Sequence, residues 1–124
     1  MKKNISFVMA FALLCILFIG TVVYATSTYS TVSISKNDNS KSSNSVGVSK
    51  SATFNAHNYA SSSACLTMKA YACWTGWPYK CESSTTISPS GDYTYTEQQS
   101  KNSSFYIKLI GNKQCIGNGS VKAN

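Results

Sequence analysis

The stretch "ACLTMKAYACW", residues 64–74, repeats with a period of two and so restricts the fold sharply. Leu66, Met68, Ala70, Ala72 and Trp74 share one side, and Cys65, Thr67, Lys69, Tyr71 and Cys73 share the other. Successive side chains of an extended strand point to opposite faces, so this pattern makes a strand with one buried face. A helix would scatter the same apolar residues around its circumference. On this reading Trp74 continues the buried face.

The alternation recurs along the chain. "TYSTVSIS" (28–35) aligns Val32 with Ile34, and "VGVSKSATFNAH" (46–57) aligns Val46, Val48, Ala52, Phe54 and Ala56. "YTYTEQ" (93–98) alternates tyrosine with threonine, and "FYIKLI" (105–110) turns Phe105, Ile107 and Leu109 inward and Tyr106 and Lys108 outward. "YKCESSTTI" (79–87) reads as a return strand and "QCIGNGSVKAN" (114–124) as the last strand, loosened by Gly117 and Gly119. The polar stretches 36–45, 58–63, 88–92, 99–104 and 111–113 read as loops and turns. No amphipathic helix pattern competes. The expected fold is all-β, a small antiparallel β-sandwich of about seven or eight short strands.

The N-terminus carries Lys2 and Lys3, an apolar run from Ile5 to Val23, and small residues at Val23 and Ala25. Those features predict a signal peptide over residues 1–25 and a secreted protein, with an uncleaved membrane anchor as the alternative. Residues 26–45 are expected to form an N-terminal strand and polar linker, and residues 46–124 the sandwich domain. The domain contains Cys65, Cys73, Cys81 and Cys115. An even number of cysteines in a short exported domain predicts disulfide stabilisation. Cys65 and Cys73 lie on one strand, about 26 Å apart at ~3.3 Å per residue, too far for a bond that needs Cα atoms within about 7 Å. The favoured pairing is Cys73–Cys81 with Cys65–Cys115, and the second choice is Cys65–Cys81 with Cys73–Cys115.

All 11 basic residues are lysine, against 4 acidic residues, and the formal net charge is +7. Such a surface attracts anionic polymers, although solubility alone also accounts for it. The absence of arginine argues against sequence-specific reading of nucleic acid, which relies on the guanidinium fork.

Catalytic groups are sparse. His57 is the only histidine, and no serine stands in a nucleophile-elbow context. Glu82 and Glu97 lie on strands that could be neighbours, but no motif pairs them as a glycosidase dyad. The cysteine spacing is not that of a zinc knuckle or ribbon, and there is no phosphate or calcium loop, so neither a metal nor a cofactor is expected. The expectation is a protein that is not an enzyme.

The aromatic residues remain. "CWTGWPYKC" (73–81) reads as a hairpin whose Gly76–Pro78 turn presents Trp77, Tyr79 and Lys80. Strand parity turns Tyr71 and Tyr106 outward, where flat rings can stack on sugars, although cross-strand packing also explains them. These five residues are the expected ligand-binding set. The expected partner is an anionic cell-wall polymer, a glycan or a membrane surface. The alternative is a small antibacterial, bacteriocin-like or toxin-like effector acting on a target envelope, and an inhibitor with Lys80 as bait comes third. The ending "SSFYIKLIG…GSVKA" is similar to the closing strands of small exported β-sandwich modules, a likeness that implies the fold and carries no functional residue.

Overall fold

A computed structural model describes residues 27–124 of the chain. The signal segment expected over residues 1–25 lies outside the described residues. Seven strands form: β1 (Tyr29–Ile34), β2 (Ser40–Ser42), β3 (Val46–Asn58), β4 (Leu66–Trp74), β5 (Lys80–Ile87), β6 (Asp92–Ile110) and β7 (Gly117–Ala123). All their pairings are antiparallel, and the described residues contain no helix.

The long strand β6, 19 residues, organises the rest. Its first half pairs with β3, His57 opposite Asp92 and Ser51 opposite Gln98. Its second half pairs with β4 on one side, from Trp74–Ser103 to Thr67–Ile110, and on the other with the start of β3, at Ser49–Ser103 and Val46–Phe105, and then with β2. The strand order β1-β7-β3-β6-β4-β5 therefore folds into two layers that share β6. The result is sandwich-like, and its core fills from both sides as the alternation requires. Phe54 and Val121 meet Leu66, Met68, Phe105, Ile107 and Leu109, all fully buried. The Phe54 and Phe105 rings meet edge to face at 6.3 Å, joining the layers. Each such side chain contributes roughly 1.5–3 kcal/mol by leaving water.

Several expectations need correction. The supposed loop at 99–104 is part of β6, because the strand changes partner without leaving the extended conformation. Val48 is 37% exposed rather than buried beside Val46, since two register shifts in β3, between Val46 and Ser51, turn it outward. Trp74 is only half-buried: it pairs with Ser103, the last point at which β6 accompanies β4, so its ring lies beyond the core. The stretch 36–45 is not only a loop: Ser40–Ser42 pair with Lys108–Ile110 as β2, and the segment 26–45 thus supplies β1 and β2 to the sheet. Its turn is held by the Asp38 carboxylate, which accepts from the Ser35 backbone N–H at 3.0 Å and the Ser35 hydroxyl at 3.1 Å.

The expected disulfides are not formed; Cys65, Cys73, Cys81 and Cys115 are free thiols. Cys115 is nevertheless beside Cys65, its thiol donating to the carbonyls of Ala64 at 3.3 Å and Cys65 at 3.5 Å. Cys81 lies opposite Tyr71, two positions before Cys73, so the tip pair is diagonal rather than face to face. Diagonal neighbours sit about 7–8 Å apart, beyond ordinary disulfide reach.

The glycines of β7 are not a weakness in the strand. A Cβ at Gly117 would stand 2.6 Å from the His57 carbonyl oxygen and 2.8 Å from Leu66 Cδ2, so the strand fits only without a side chain there. Gly117→Ala should therefore cost about 1–3 kcal/mol of stability, read as a lower urea midpoint with an unchanged slope. An unaltered midpoint would show that β7 does not press on the opposite layer.

Candidate functional site

The outer face of β4 and the second half of β6 collects the tyrosines. Because Tyr71 is opposite Tyr106 in register, their rings stack at 4.6 Å and 4°. Tyr79, at the end of the hairpin turn, crosses the same face. Its ring meets Tyr106 edge-on at 4.7 Å, and its hydroxyl donates to Ser45 Oγ at 2.7 Å. Burial pushes the ionisation of both Tyr79 and Tyr106 upward, favouring their neutral phenols.

One step further along the same face, Lys69 stands directly opposite Lys108. The flanking partners in register are Ser84 and Ser42, which carry no countercharge. Among the described residues the ion pairs are Lys41 with Asp38 and His57 with Asp92, so neither facing lysine is neutralised. Like charges directly opposite each other weaken a strand pair.

The other expected site residues lie elsewhere. Lys80 is opposite Ala72, which points it to the inner side of the hairpin, and Trp77 is 65% exposed at the turn. Both line an open cleft of about 580 Å³ between the end of β4 and residues 97–100 of β6. Tyr79 forms part of its rim, so it links cleft and outer face. The expected set of five thus divides into Tyr71, Tyr106 and Tyr79 on one face and Trp77 and Lys80 around the cleft.

Sequence reasoning missed the cleft walls. Trp74 meets Trp77 at 6.3 Å with the rings nearly perpendicular, and its Nε1 donates to Gln99 Oε1 at 2.9 Å. Gln99 Nε2 donates to Glu97 Oε1 at 2.9 Å, and the Tyr95 hydroxyl donates to Glu97 Oε2. Glu82 completes the lining. The available signal was parity: Glu97 falls in line with Tyr93 and Tyr95 and so had to turn inward. The structure brings Glu82 and Glu97 to one cleft, but both Glu97 oxygens are engaged by Tyr95 and Gln99.

A second depression, about 590 Å³, lies on the outer face of β1, β7, β3 and the first half of β6. His57 Nδ1 is 2.6 Å from Asp92 Oδ1, and the ring packs edge-on against Tyr59. Among the described residues no serine hydroxyl bonds the imidazole, and no group of three histidine, cysteine or carboxylate side chains is placed to hold a metal.

No family model and no curated protein matches this chain. The crystal structure of PirA is similar to it at a TM-score of 0.45 and 14% identity, over 84% of this chain and 100% of that one.

The Tyr95–Glu97 contact has a measurable consequence. Burial, followed by the neighbouring Glu97 carboxylate, pushes Tyr95 up to about 12 from the ordinary 10.0. The neutral phenol is thus favoured by the fold: its contribution is complete below about pH 10 and is lost as pH rises through about 12. Spectrophotometric titration should find one phenol ionising later than the rest, and Tyr95→Phe should remove that phase and flatten the alkaline loss of stability. A single phase near pH 10 would contradict the contact.

Proposed function

We propose that the protein is secreted and acts as a non-catalytic binding module, holding an anionic envelope polymer or acidic glycan on the outer face of β4 and β6. One observation carries this reading: Lys69 faces Lys108 without a countercharge, directly beside the Tyr71–Tyr106 stack. A sheet face that keeps two ammonium groups in mutual repulsion is relieved by an anion between them. The adjoining rings supply apolar faces for sugar or polyol units. Lysine rather than arginine suits this task, since a flexible point charge follows a repeating polyanion without requiring a fixed phosphate geometry.

The test is binding of purified residues 26–124 to isolated cell walls and to a soluble poly(glycerol phosphate). Binding should weaken as salt rises, because exposed charges are screened within about 8 Å at physiological ionic strength. Lys69→Ala with Lys108→Ala should lower affinity roughly tenfold or more without lowering the melting temperature. Binding that ignores both salt and these substitutions would remove the reading.

Export bears on the thiols as well. In an oxidising exterior, oxygen or a disulfide donor can take two electrons and two protons from Cys65 and Cys115, whose groups are already adjacent. Denaturing alkylation of the exported protein without reduction should leave these two cysteines unlabelled. Labelling of all four would show that the fold stands on packing alone.

A further inference from the structure

We infer that the cleft at the end of β4 is a second binding site, of opposite preference to the lysine–tyrosine face, and takes a saccharide bearing a free amine. Two observations meet there. First, the chain has two tryptophans, and both line this cleft, Trp74 as a wall and Trp77 as an exposed rim. Their rings form a corner, 84° apart, so a flat ring can lie on one and abut the other. Second, of the four carboxylates in the sequence, Asp38 is paired with Lys41 and Asp92 with His57. The two without an ion-pair partner among the described residues, Glu82 and Glu97, line this same cleft. A chain of formal charge +7 therefore gathers its unpaired negative charge against its tryptophans.

The chemistry follows from that juxtaposition. Tryptophan faces receive the C–H face of a pyranose and also attract cations. The chain itself shows the second preference: Lys101 Nζ sits 4.6 Å from the centre of the Trp74 ring. Trp77 has no such internal cation among the described residues and is 65% exposed. Glu97 is held rigid and buried by Tyr95 and Gln99, so it acts as a fixed negative charge behind the site. Glu82, half-buried on β5, is the carboxylate positioned to accept from a ligand ammonium. Lys80 also lines the cleft, so its charge is mixed, but a neutral sugar leaves the Glu82 carboxylate without a partner. An amino sugar satisfies the rings and the charge together.

The site is read out without a label, because the tryptophan fluorescence of the chain arises wholly within the cleft. Titration of the mature protein with a fully deacetylated glucosamine oligomer, at a pH where its amines are charged, should give a saturable emission change. The N-acetylated oligomer of the same length should bind at least tenfold more weakly, and Glu82→Gln should weaken the amine-bearing ligand by roughly tenfold. Lys69→Ala with Lys108→Ala should leave this titration unaltered, which separates the site from the polyanion face. No saturable change, equal affinity for the acetylated oligomer, or an unaffected Glu82→Gln variant would overturn the inference. Equal affinity for tetramethylammonium would overturn the assignment to a saccharide.

Discussion

Everything in this fold depends on β6 staying extended while it changes partners. Over Asp92–Gln98 it pairs with β3, and over Ser103–Ile110 it gains β4 on its other edge, while β3 follows past two register shifts only to Ser49–Ser103 and Val46–Phe105. The segment between carries exposed Lys101 and Asn102, which need no partner strand to satisfy their side chains. Phe105 then faces Phe54 across the core, so a single strand both divides the sheet into layers and holds them together. A turn at that point would have made two independent hairpins with less apolar surface in common. Gly117 and Gly119 answer the same constraint from β7, where the layers come close enough that a Cβ would collide with Leu66 or Ile107.

Both candidate sites are consequences of that change of partner. Where β6 still follows β4, strict register stacks Tyr71 on Tyr106 and sets Lys69 against Lys108. Where β6 departs, Trp74 loses its neighbour strand and the gap opens into the cleft containing Glu82, Glu97 and Gln99. The hairpin turn after Trp74 serves both, since Trp77 reaches into the cleft while Tyr79 crosses the outer face to Ser45. Local sequence supplies the residues, and the pairing of one long strand decides which of them meet.

The all-β, antiparallel architecture was legible because period-two alternation reports directly on a half-buried sheet, but the seven strands are not those read: 93–98 and 105–110 are one strand, β6, and β2 lies in the stretch 36–45 read as a loop. The buried faces of β1, β4 and the second half of β6 are those the pattern indicated, and Tyr71 and Tyr106 face outward as parity required. What failed did so for tertiary reasons. Polar composition made 99–104 look like a loop, but exposed polar residues are equally at home on the open stretch of a strand passing between partners. Trp74 has the parity of a core residue and yet lies past the end of the core, a boundary that periodicity does not mark. The diagonal offset of Cys73 and Cys81 comes from the register shift between Ala70 and Tyr71, which no spacing in the sequence discloses. The cleft was hidden because Glu97 and Trp74 are far apart in sequence and converge only through β6.

The central claim is that the uncompensated lysines and stacked tyrosines of β4 and β6 form a polyanion-binding face. Amide chemical-shift mapping of the 15N-labelled protein, titrated with poly(glycerol phosphate) at low salt, tests it most directly. The account predicts shifts concentrated on residues 67–73 and 104–108 with the adjoining Tyr79, fading as salt is added. Shifts centred on the His57–Asp92 face, or spread evenly over all the surface lysines, would contradict it.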